Sequence, residues 1–498
     1  MRDSTFASLL LGSLLFCVSP GTGQVPIAPV EAAGFSALTS YEELVGFVRT
    51  LGGRPGIRVQ PIERSRQGRE VFSVNLGPTI PSGGDSTRLR VLLFAQQHGD
   101  EPSGKEALTL FLARCASGEY DDQLQRVDIV VVPQMNPDGA ELRQRLTADS
   151  IDLNRSHLLL NSPEVRGLHD LFLAWMPEVT VDIHEYSSFT DSWIQAGIIK
   201  TGDVQMGLLS NLNCSKAIRD YQKDLVLPFL SSYLDERGFS FHEYLVGTPP
   251  ARIRYSTTEI NDGRQSLGVF NTMSFIQEGR TWHTLEEQLE RRTRSQLASL
   301  EGLIRFCADH SSEIRALVAT ERQMLSKSAG SSFAAIMDYA GNGRSPLIPA
   351  LDLESNREIM WRVEPFHGTV RAIDSCNLPS AYVVPRELVG VLDLLRAHGV
   401  AMDTIRRMTQ TPGEVFYIDS LTTEDLQDQP HLRVWGDGFV RRVVLRPGDI
   451  VVPVNQTRSL LVATLLEPES MWGLSRYGQF EHLFQGVHYP IMRLPVSR

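Results

Sequence analysis

The length, composition and charge of the chain limit what it can be. Its 498 residues, 42% of them hydrophobic and 21% charged, provide material for two or three hydrophobic cores. The formal net charge of -11 disfavours nucleic acid and anionic membrane surfaces as general partners. Any specificity must therefore come from a local pocket.

The first residues have the pattern of an export signal. Arg2 supplies a positive charge, and the apolar run from Phe6 to Val18 has the length of a signal-peptide core but is too short to cross a bilayer. We predict a signal peptide over residues 1–24, no stable membrane insertion, and a secreted or periplasmic protein. A frayed N-terminal helix is the alternative, and lipid attachment at Cys17 is a lesser one.

The next part of the chain alternates between strand and helix patterns. In chain order, the predicted elements are a helix over Tyr41–Leu51, strands over Val71–Leu76 and Leu89–Ala95, a helix over Gly104–Arg114, a strand over Val127–Pro133, a helix over Val165–Trp175, and strands over Val179–Ile183 and Met273–Gln277. This order predicts an α/β fold with a mainly parallel mixed sheet flanked by helices.

After Glu278 the pattern changes. Leucines at helical spacing between Leu285 and Phe306 predict one or two long amphipathic helices, and the Gly/Ser-rich stretch Ser326–Ser332 indicates a boundary. Further on, Pro385–His398 is the most helical segment, and two strand patterns flank the turn Arg446–Asp449. We predict one domain over 34–325 and a smaller mixed α/β or β-rich domain of unknown role over 330–498.

Polar side chains follow two of the predicted strands. His98 and Glu101 come just after the strand Leu89–Ala95, and His184 comes after Val179–Ile183. The carboxyl ends of parallel strands are where such sheets place ligand sites. Two His and one Glu leave a fourth position open for water, as in catalytic zinc sites. The alternative for the His-x-x-Glu pair alone is an ordinary polar loop.

Four short motifs occur in order along the chain: Arg64–Arg69, which contains S-x-x-G-R; His98–Glu101, which reads H-G-x-E; Asn136–Gly139, which reads N-P-D-G; and Asp152–Arg155, which reads D-L-N-R. Together they resemble the motifs of the zinc metallocarboxypeptidase family, the carboxypeptidase A-like peptidases. His184 and the strand Phe275–Glu278 follow in the same order. The resemblance covers roughly Thr39 to Thr281 and implies a zinc carboxypeptidase-like fold for the 34–325 domain.

The resemblance implies one zinc ion per chain, held by His98, Glu101 and His184. Zinc would polarise a scissile carbonyl and lower the pKa of bound water. Glu278 resembles the general base that takes a proton from this water and gives it to the leaving amine. The alternative is that Glu278 only forms an ion pair, for example with Arg280.

Three further residues resemble the family's substrate-contacting groups. Arg145 resembles the arginine that stabilises the oxyanion, with Arg143 as its rival. Asn154 and Arg155 look like the pair that binds the free C-terminal carboxylate, because a guanidinium matches two carboxylate oxygens. A surface arginine is the alternative for Arg155.

Some residues fit the resemblance less clearly. Tyr255 lies about where the family's mobile substrate-binding tyrosine is expected, but no motif surrounds it. Asn136–Gly139 is turn chemistry and is interpreted as structural. Asp182, two residues before His184, is a candidate to support that ligand from behind.

These features together predict a zinc-dependent hydrolase that releases C-terminal residues from a peptide or protein. A sister zinc hydrolase is the alternative, either a cell-wall peptide hydrolase or an N-acyl amino acid deacylase, since the segment between Glu101 and His184 is short. The Asn136–Gly139 and Asp152–Arg155 motifs favour the peptidase. A binding protein without turnover is a third interpretation.

Overall fold

The computed structural model describes residues 25–77, 87–425 and 430–496, so the predicted signal peptide over 1–24 lies outside the described residues. The strands in chain order are β1 (Ile57–Arg64), β2 (Glu70–Leu76), β3 (Leu89–Ala95), β4 (Val127–Val132), β5 (Val179–Tyr186), β6 (Ile198–Lys200), β7 (Val204–Gly207), β8 (Phe241–Glu243), β9 (Leu245–Val246), β10 (Ile253–Tyr255), β11 (Met273–Arg280), β12 (Ser332–Ala340), β13 (Leu347–Asp352), β14 (Arg357–Arg362), β15 (Phe366–His367), β16 (Thr369–Asn377), β17 (Ala381–Val384), β18 (Asp403–Thr404), β19 (Thr409–Asp425), β20 (Pro430–Leu445), β21 (Ile450–Pro453) and β22 (Met492–Leu494).

The helices in chain order are α1 (Pro29–Ala32), α2 (Tyr41–Leu51), α3 (Ser103–Ala116), α4 (Asp121–Leu124), α5 (Pro137–Glu141), α6 (Pro163–Trp175), α7 (Asp191–Gln195), α8 (Lys216–Tyr221), α9 (Leu227–Asp235), α10 (Gly263–Gly268), α11 (Leu289–Asp309), α12 (Ser311–Leu325), α13 (Val389–Ala397) and α14 (Ser459–Leu466). Short 3₁₀ segments occur at Leu153–Arg155, Leu474–Arg476 and Gly478–Phe484, and a π-helical segment at Gln222–Val226 joins α8 to α9. In the described residues, no helix is both long and apolar enough to cross a membrane.

Eight strands form the main sheet, in the order β1-β2-β4-β3-β5-β11-β7-β8. The central strands β4, β3, β5 and β11 are parallel, whereas β1 with β2, β2 with β4, and β11 with β7 pair antiparallel. Strands β4 and β5 are buried along their whole length because helices cover both faces, which explains their continuous apolar runs. The predicted mainly parallel mixed sheet flanked by helices is confirmed.

The helices that cover the sheet enclose one large apolar core. Helices α3 and α11 pack on each other, and α6, α11 and α12 contact strands. Phe94, Phe111, Phe172 and Phe275 are fully buried in this core. The predicted long amphipathic helices after Glu278 are α11 and α12, whose apolar stripes point into the same core.

The chain beyond residue 330 is rich in strands, as predicted. Its largest sheet has the order β18-β21-β17-β22-β19-β20, and smaller sheets contain β12 with β16 and β13 with β14. Two of its strands pair with segments of the first part: β13 with β6, and β15 with β10. This part of the chain therefore fixes loops that surround the sheet's carboxyl edge. The domain boundaries at 325 and 330 stay a prediction.

Candidate active site

Three side chains with metal-binding atoms meet at the carboxyl ends of β3 and β5. His98 and Glu101 lie between β3 and α3, and His184 lies within β5. Glu101 Oε1 is 2.7 Å from His98 Nδ1, and Glu101 Oε2 is 2.9 Å from His184 Nδ1. The two Nδ1 atoms are 3.1 Å apart, and all three side chains are buried. The structure thus brings the three proposed ligands to one point.

The loop that carries His98 packs directly on the Asn136–Gly139 segment. A Cβ on Gly99 would lie 2.1 Å from the carbonyl carbon of Gly139, so only glycine fits here. Asn136 Oδ1 accepts a hydrogen bond from Gly139 N at 2.8 Å, and its Nδ2 donates to the carbonyl oxygen of Gln97 at 3.2 Å. The segment predicted as a turn is therefore the capped start of α5, and it supports the loop that bears the ligands.

A carboxylate stands behind each histidine. His184 Nε2 is 2.8 Å from Asp182 Oδ1, and His98 Nε2 is 3.2 Å from Asp152 Oδ1. Because each Nε2–H donates to a carboxylate, each Nδ1 keeps its lone pair for a metal. Burial alone would raise the pKa of Asp152. The hydrogen bond from His98 and the charge of Arg145 outweigh this effect, so the net shift of the pKa is downward. The sequence identified Asp152 only as part of the motif Asp152–Arg155 and did not indicate its contact with His98.

Asp182 is itself held by a chain of buried hydrogen bonds that the sequence did not reveal. Gln97 Nε2 donates to both oxygens of Asp182 at 2.9 Å, so its Oε1 accepts from His157 Nε2 at 2.8 Å. His157 Nδ1 then accepts from His169 Nε2 at 3.0 Å. This order fixes both rings as neutral Nε2–H tautomers, and Asp182 accepts hydrogen bonds from both Gln97 and His184.

His169, the last member of this hydrogen-bonded series, contacts a residue from beyond position 330. The ring of His398 meets that of His169 edge-on, with centroids 5.7 Å apart, and His398 Nε2 donates to the carbonyl oxygen of Leu158 at 2.8 Å. Burial lowers the pKa of His398 to about 4. The C-terminal part of the chain therefore contacts the outer end of the network that supports a proposed ligand.

Glu278 lies on β11 directly opposite His184 in the register. Its side chain is buried, and among the described residues it forms no ion pair or hydrogen bond. Burial raises the pKa of Glu278 to about 7, against the charge of His184, which lowers it. Arg280 instead donates to Ser188 Oγ and the carbonyl oxygen of Thr201, so the alternative of a Glu278–Arg280 pair has no support here.

The two candidate arginines for the oxyanion point in different directions. Arg145 is bound by Asp152 Oδ2 through Nε at 3.2 Å and Nη2 at 3.1 Å. Its Nη1 lies 3.2 Å from His98 Nδ1 and 3.5 Å from Glu101 Oε1, beside the metal-binding atoms. Arg143 instead pairs with Glu286 at 2.8 Å. The geometry therefore favours Arg145.

Asn154 and Arg155 differ in how far their side chains are engaged. Asn154 Oδ1 accepts from Gly263 N at 2.8 Å and from Gln97 Nε2 at 3.3 Å, inside the protein. Arg155 Nη1 donates to the carbonyl oxygen of Asn154 at 2.8 Å, and its Nη2 is 3.7 Å from Glu259 Oε2. The side chain of Arg155 is 40% exposed. Its guanidinium is positioned without being locked into a bidentate ion pair.

Tyr255 packs against both the main core and a second apolar cluster. It packs with Ile253 and Trp193, and within the described structure its buried hydroxyl has no hydrogen-bond partner. Tyr244, unlike Tyr255, interacts electrostatically with Glu278. Burial and the charge of Glu278 both raise the pKa of the Tyr244 hydroxyl. No motif marks Tyr244 in the sequence, so it was missed.

The segment with most of these residues matches a known family. Residues 48–164 match the family model described as zinc carboxypeptidase. This segment therefore resembles the zinc carboxypeptidases. The predicted resemblance and the predicted enzyme class, a zinc carboxypeptidase that hydrolyses peptide bonds, agree with this match.

Individual zinc carboxypeptidases are similar over different lengths. Carboxypeptidase 2 of Trichophyton rubrum is 25% identical over 495 residues, which cover 96% of this chain and 89% of that protein. Carboxypeptidase E of Caenorhabditis elegans is 32% identical over 132 residues, or 23% of this chain and 25% of that one. A solved metallo-carboxypeptidase of Pseudomonas aeruginosa, in complex with (2-guanidinoethylmercapto)succinic acid, has a TM-score of 0.42 and 20% identity, covering 55% of this chain and 69% of that chain.

The family implies zinc, and the residues present fit it. Two imidazole nitrogens and a carboxylate are a donor set that zinc prefers, with a coordination position left open. The orientation of both rings supports the fit, since Nε2 of His98 and of His184 faces a carboxylate and Nδ1 faces Glu101. These three residues are the ones that would hold the ion.

Proposed function

We propose that this zinc carboxypeptidase releases residues from the carboxyl terminus of a peptide or protein, using one zinc ion held by His98, Glu101 and His184. The observation that carries the proposal is Arg155, whose side chain is 40% exposed and whose chain neighbour Asn154 contacts His184 of the three-ligand site. When bound, zinc supplies Lewis-acid chemistry, polarising the scissile carbonyl and acidifying water. Export to the periplasm or the medium remains part of the prediction.

Glu278 is the proposed proton carrier. It takes a proton from the attacking water and delivers it to the nitrogen of the leaving residue. Two observations support this role: its carboxylate has no ion-pair partner among the described residues, and burial raises its pKa to about 7. A general base works best when its pKa lies near the working pH.

Arg145 is the proposed partner of the negative charge that develops on the carbonyl oxygen. Its Nη1 lies beside His98 Nδ1 and Glu101 Oε1, while Asp152 holds the rest of the guanidinium. A donor held in place before the reaction needs no reorganisation when the charge appears. That geometry supports Arg145 over Arg143.

Arg155 is the proposed binding group for the substrate's terminal carboxylate. Its 3.7 Å separation from Glu259 leaves room for a tighter, bidentate partner. Asn154 would contribute through Nδ2, because its Oδ1 is already bonded to Gly263 N. Tyr255 stays a predicted substrate contact, and we add Tyr244 as the tyrosine that the charges of Glu278 and Arg155 reach.

The direct test is mass spectrometry of a peptide library incubated with the purified, zinc-loaded protein. We expect products that lack residues one at a time from the carboxyl end, and no products from the matched His184→Ala protein. Internal fragments would instead indicate an endopeptidase or cell-wall peptide hydrolase. Activity confined to N-acyl amino acids would indicate a deacylase, and unchanged peptides a binding protein.

A further inference from the structure

Lys200 lies beside the candidate active site and takes no part in the proposed mechanism. It ends β6 and is only 6% exposed. Its Nζ lies 4.3 Å from the ring centre of Tyr186 and 5.3 Å from that of Trp193. In the part of the chain that the structure describes, this ammonium forms no ion pair and no hydrogen bond. It is a buried cation without an acceptor.

Such a group is costly unless something compensates it. Removing an ammonium from water carries a large desolvation penalty, and contacts with two aromatic faces offset only part of it. Burial lowers the pKa of Lys200 to about 8, against the charge of Glu278, which raises it. The amine therefore lies within electrostatic reach of the proposed base.

A second cation flanks the same place. Arg280, two residues after Glu278 on β11, donates only to neutral oxygens, Ser188 Oγ at 3.1 Å and the carbonyl of Thr201 at 3.3 Å. Over the described residues it has no carboxylate in an ion pair. The nearby carboxylate of Asp203 is already bound by Arg291 through two contacts of 2.8 Å. Within the described residues, neither of these two cations forms an ion pair with a carboxylate.

The register of β5 shows which part of a substrate would meet them. Asp182, His184 and Tyr186 alternate onto one face of the strand, and Lys200 lies over Tyr186. At the other end of this row, Asp182 accepts a hydrogen bond from Gln97. Gln97 also donates to Asn154, the residue that precedes Arg155. Arg155 and Lys200 therefore flank the metal ligands from opposite directions along the strand.

We propose that Lys200 and Arg280 form an anion-binding subsite for the residue on the amino side of the scissile bond, so that the enzyme prefers substrates whose penultimate residue is Glu or Asp. This inference rests on the proposed function, because it takes Arg155 as the group that binds the terminal carboxylate. The substrate's side-chain carboxylate supplies the acceptor that Lys200 lacks. Backbone pairing of Lys200 with Ala350 of β13 fixes the strand that carries this side chain.

The test compares three peptides with a free carboxyl end that differ only in the penultimate residue, which is Glu, Gln or Lys. We expect kcat/KM to be about 10- to 100-fold higher for Glu than for Gln, the range for a hydrogen bond to a charged group. The Lys peptide should be the slowest. In Lys200→Met the Glu-to-Gln ratio should fall toward one, whereas Lys200→Arg should keep most of it, and Arg280→Gln should lower it partly.

The matched control is Arg143→Gln, because Arg143 pairs with Glu286 away from this edge, and it should leave the ratio unchanged. Equal wild-type rates on the Glu and Gln peptides would overturn the subsite while leaving the proposed function standing. A ratio that survives in both Lys200→Met and Arg280→Gln would do the same. Release of no terminal residue from any peptide would overturn the proposed function and the subsite together. If Lys200→Met failed to fold, the wild-type ratio and Arg280→Gln would still decide.

Discussion

The candidate active site has two parts that are built in different ways. The metal end consists of the proposed ligands and the side chains behind them, and the substrate end consists of the cations proposed to bind substrate on either side of those ligands. At the metal end, His184 is held by Asp182, Asp182 by Gln97, and Gln97 by His157, with every bond at 2.9 Å or less. At the substrate end, Arg155 is 3.7 Å from Glu259, and Lys200 has no acceptor among the described residues. The hydrogen bonds of the metal end are all formed without substrate. At the substrate end, Arg155 has only a 3.7 Å contact with a carboxylate, and Lys200 has none among the described residues.

The two ends also draw on different parts of the chain. The metal end uses residues within the main sheet and its first loops. The substrate end depends on the part beyond residue 330, since β6 with Lys200 pairs with β13, and the ring of Tyr339 lies 4.7 Å from the guanidinium of Arg254 near Glu259. This contrast teaches that one end can be predicted from local motifs, while the other arises only when distant segments pack.

The largest expected effect separates chemistry from metal binding at the complete end. Glu278→Gln keeps the size of the side chain but cannot accept a proton, so kcat should fall by roughly 10²- to 10⁴-fold. Zinc content should stay at the wild-type level, because Glu278 is not one of the three proposed ligands. The paired variant His184→Ala should lose the metal. Steady-state kinetics together with metal analysis checks both, and an unchanged kcat would remove Glu278 from the mechanism.

A smaller effect tests whether the hydrogen bonds behind the ligands matter. Asp182→Asn replaces one acceptor by an amide that faces the donors of His184 and Gln97, so zinc affinity should weaken by about 10- to 100-fold. Chelator competition measures this dissociation constant. Glu178→Gln is the control: Glu178 is also buried, but it lies at the amino end of β5 and its partner is Arg90. Equal zinc affinity in wild type and Asp182→Asn would show that the metal end is not rigidified in this way.

The smallest effect concerns stability where the C-terminal part meets the metal end. Burial lowers the pKa of His398 to about 4, and an unfolded histidine titrates near 6.5. Its contribution to stability is therefore full above pH ~6.5 and is lost as pH falls toward 4. Between pH 7 and 5 the loss is roughly 2 kcal/mol. His398→Gln should reduce the drop in unfolding free energy measured with urea, and the exposed His310→Gln should not. Identical pH slopes in all three proteins would contradict a neutral, buried His398.

The sequence was informative where a local pattern decides the structure. The ligands could be predicted because His98 and Glu101 follow one apolar strand and His184 follows the apolar run Val179–Ile183, although β5 continues to Tyr186. Asp182 followed from the alternation of side chains along a strand. Most helices and strands of the main sheet also matched their apolar periodicity. The prediction of a turn at Asn136–Gly139 was wrong in one respect, since Asn136 caps a short helix there.

What the sequence could not show are the contacts between distant segments. Gln97 and His157 meet through a buried hydrogen bond, and nothing in either neighbourhood marks the pair. Lys200 ends a three-residue strand that exists only because it pairs with β13. The choice between Tyr255 and Tyr244 depends on the loop that joins β8 to β10, whose path no periodicity describes. These are tertiary effects, and local propensity does not contain them.

The central claim is that the enzyme removes C-terminal residues. The most direct test compares kcat/KM for one peptide with a free carboxyl end and for the same peptide with a C-terminal amide. If Arg155 binds the terminal carboxylate, the amide loses one side of a charged pair, which costs about 2 to 5 kcal/mol. The wild type should therefore prefer the free acid by roughly 30- to several-thousand-fold in kcat/KM. Arg155→Ala should remove most of this preference and retain zinc. Equal rates of the wild type on the acid and the amide would contradict the account.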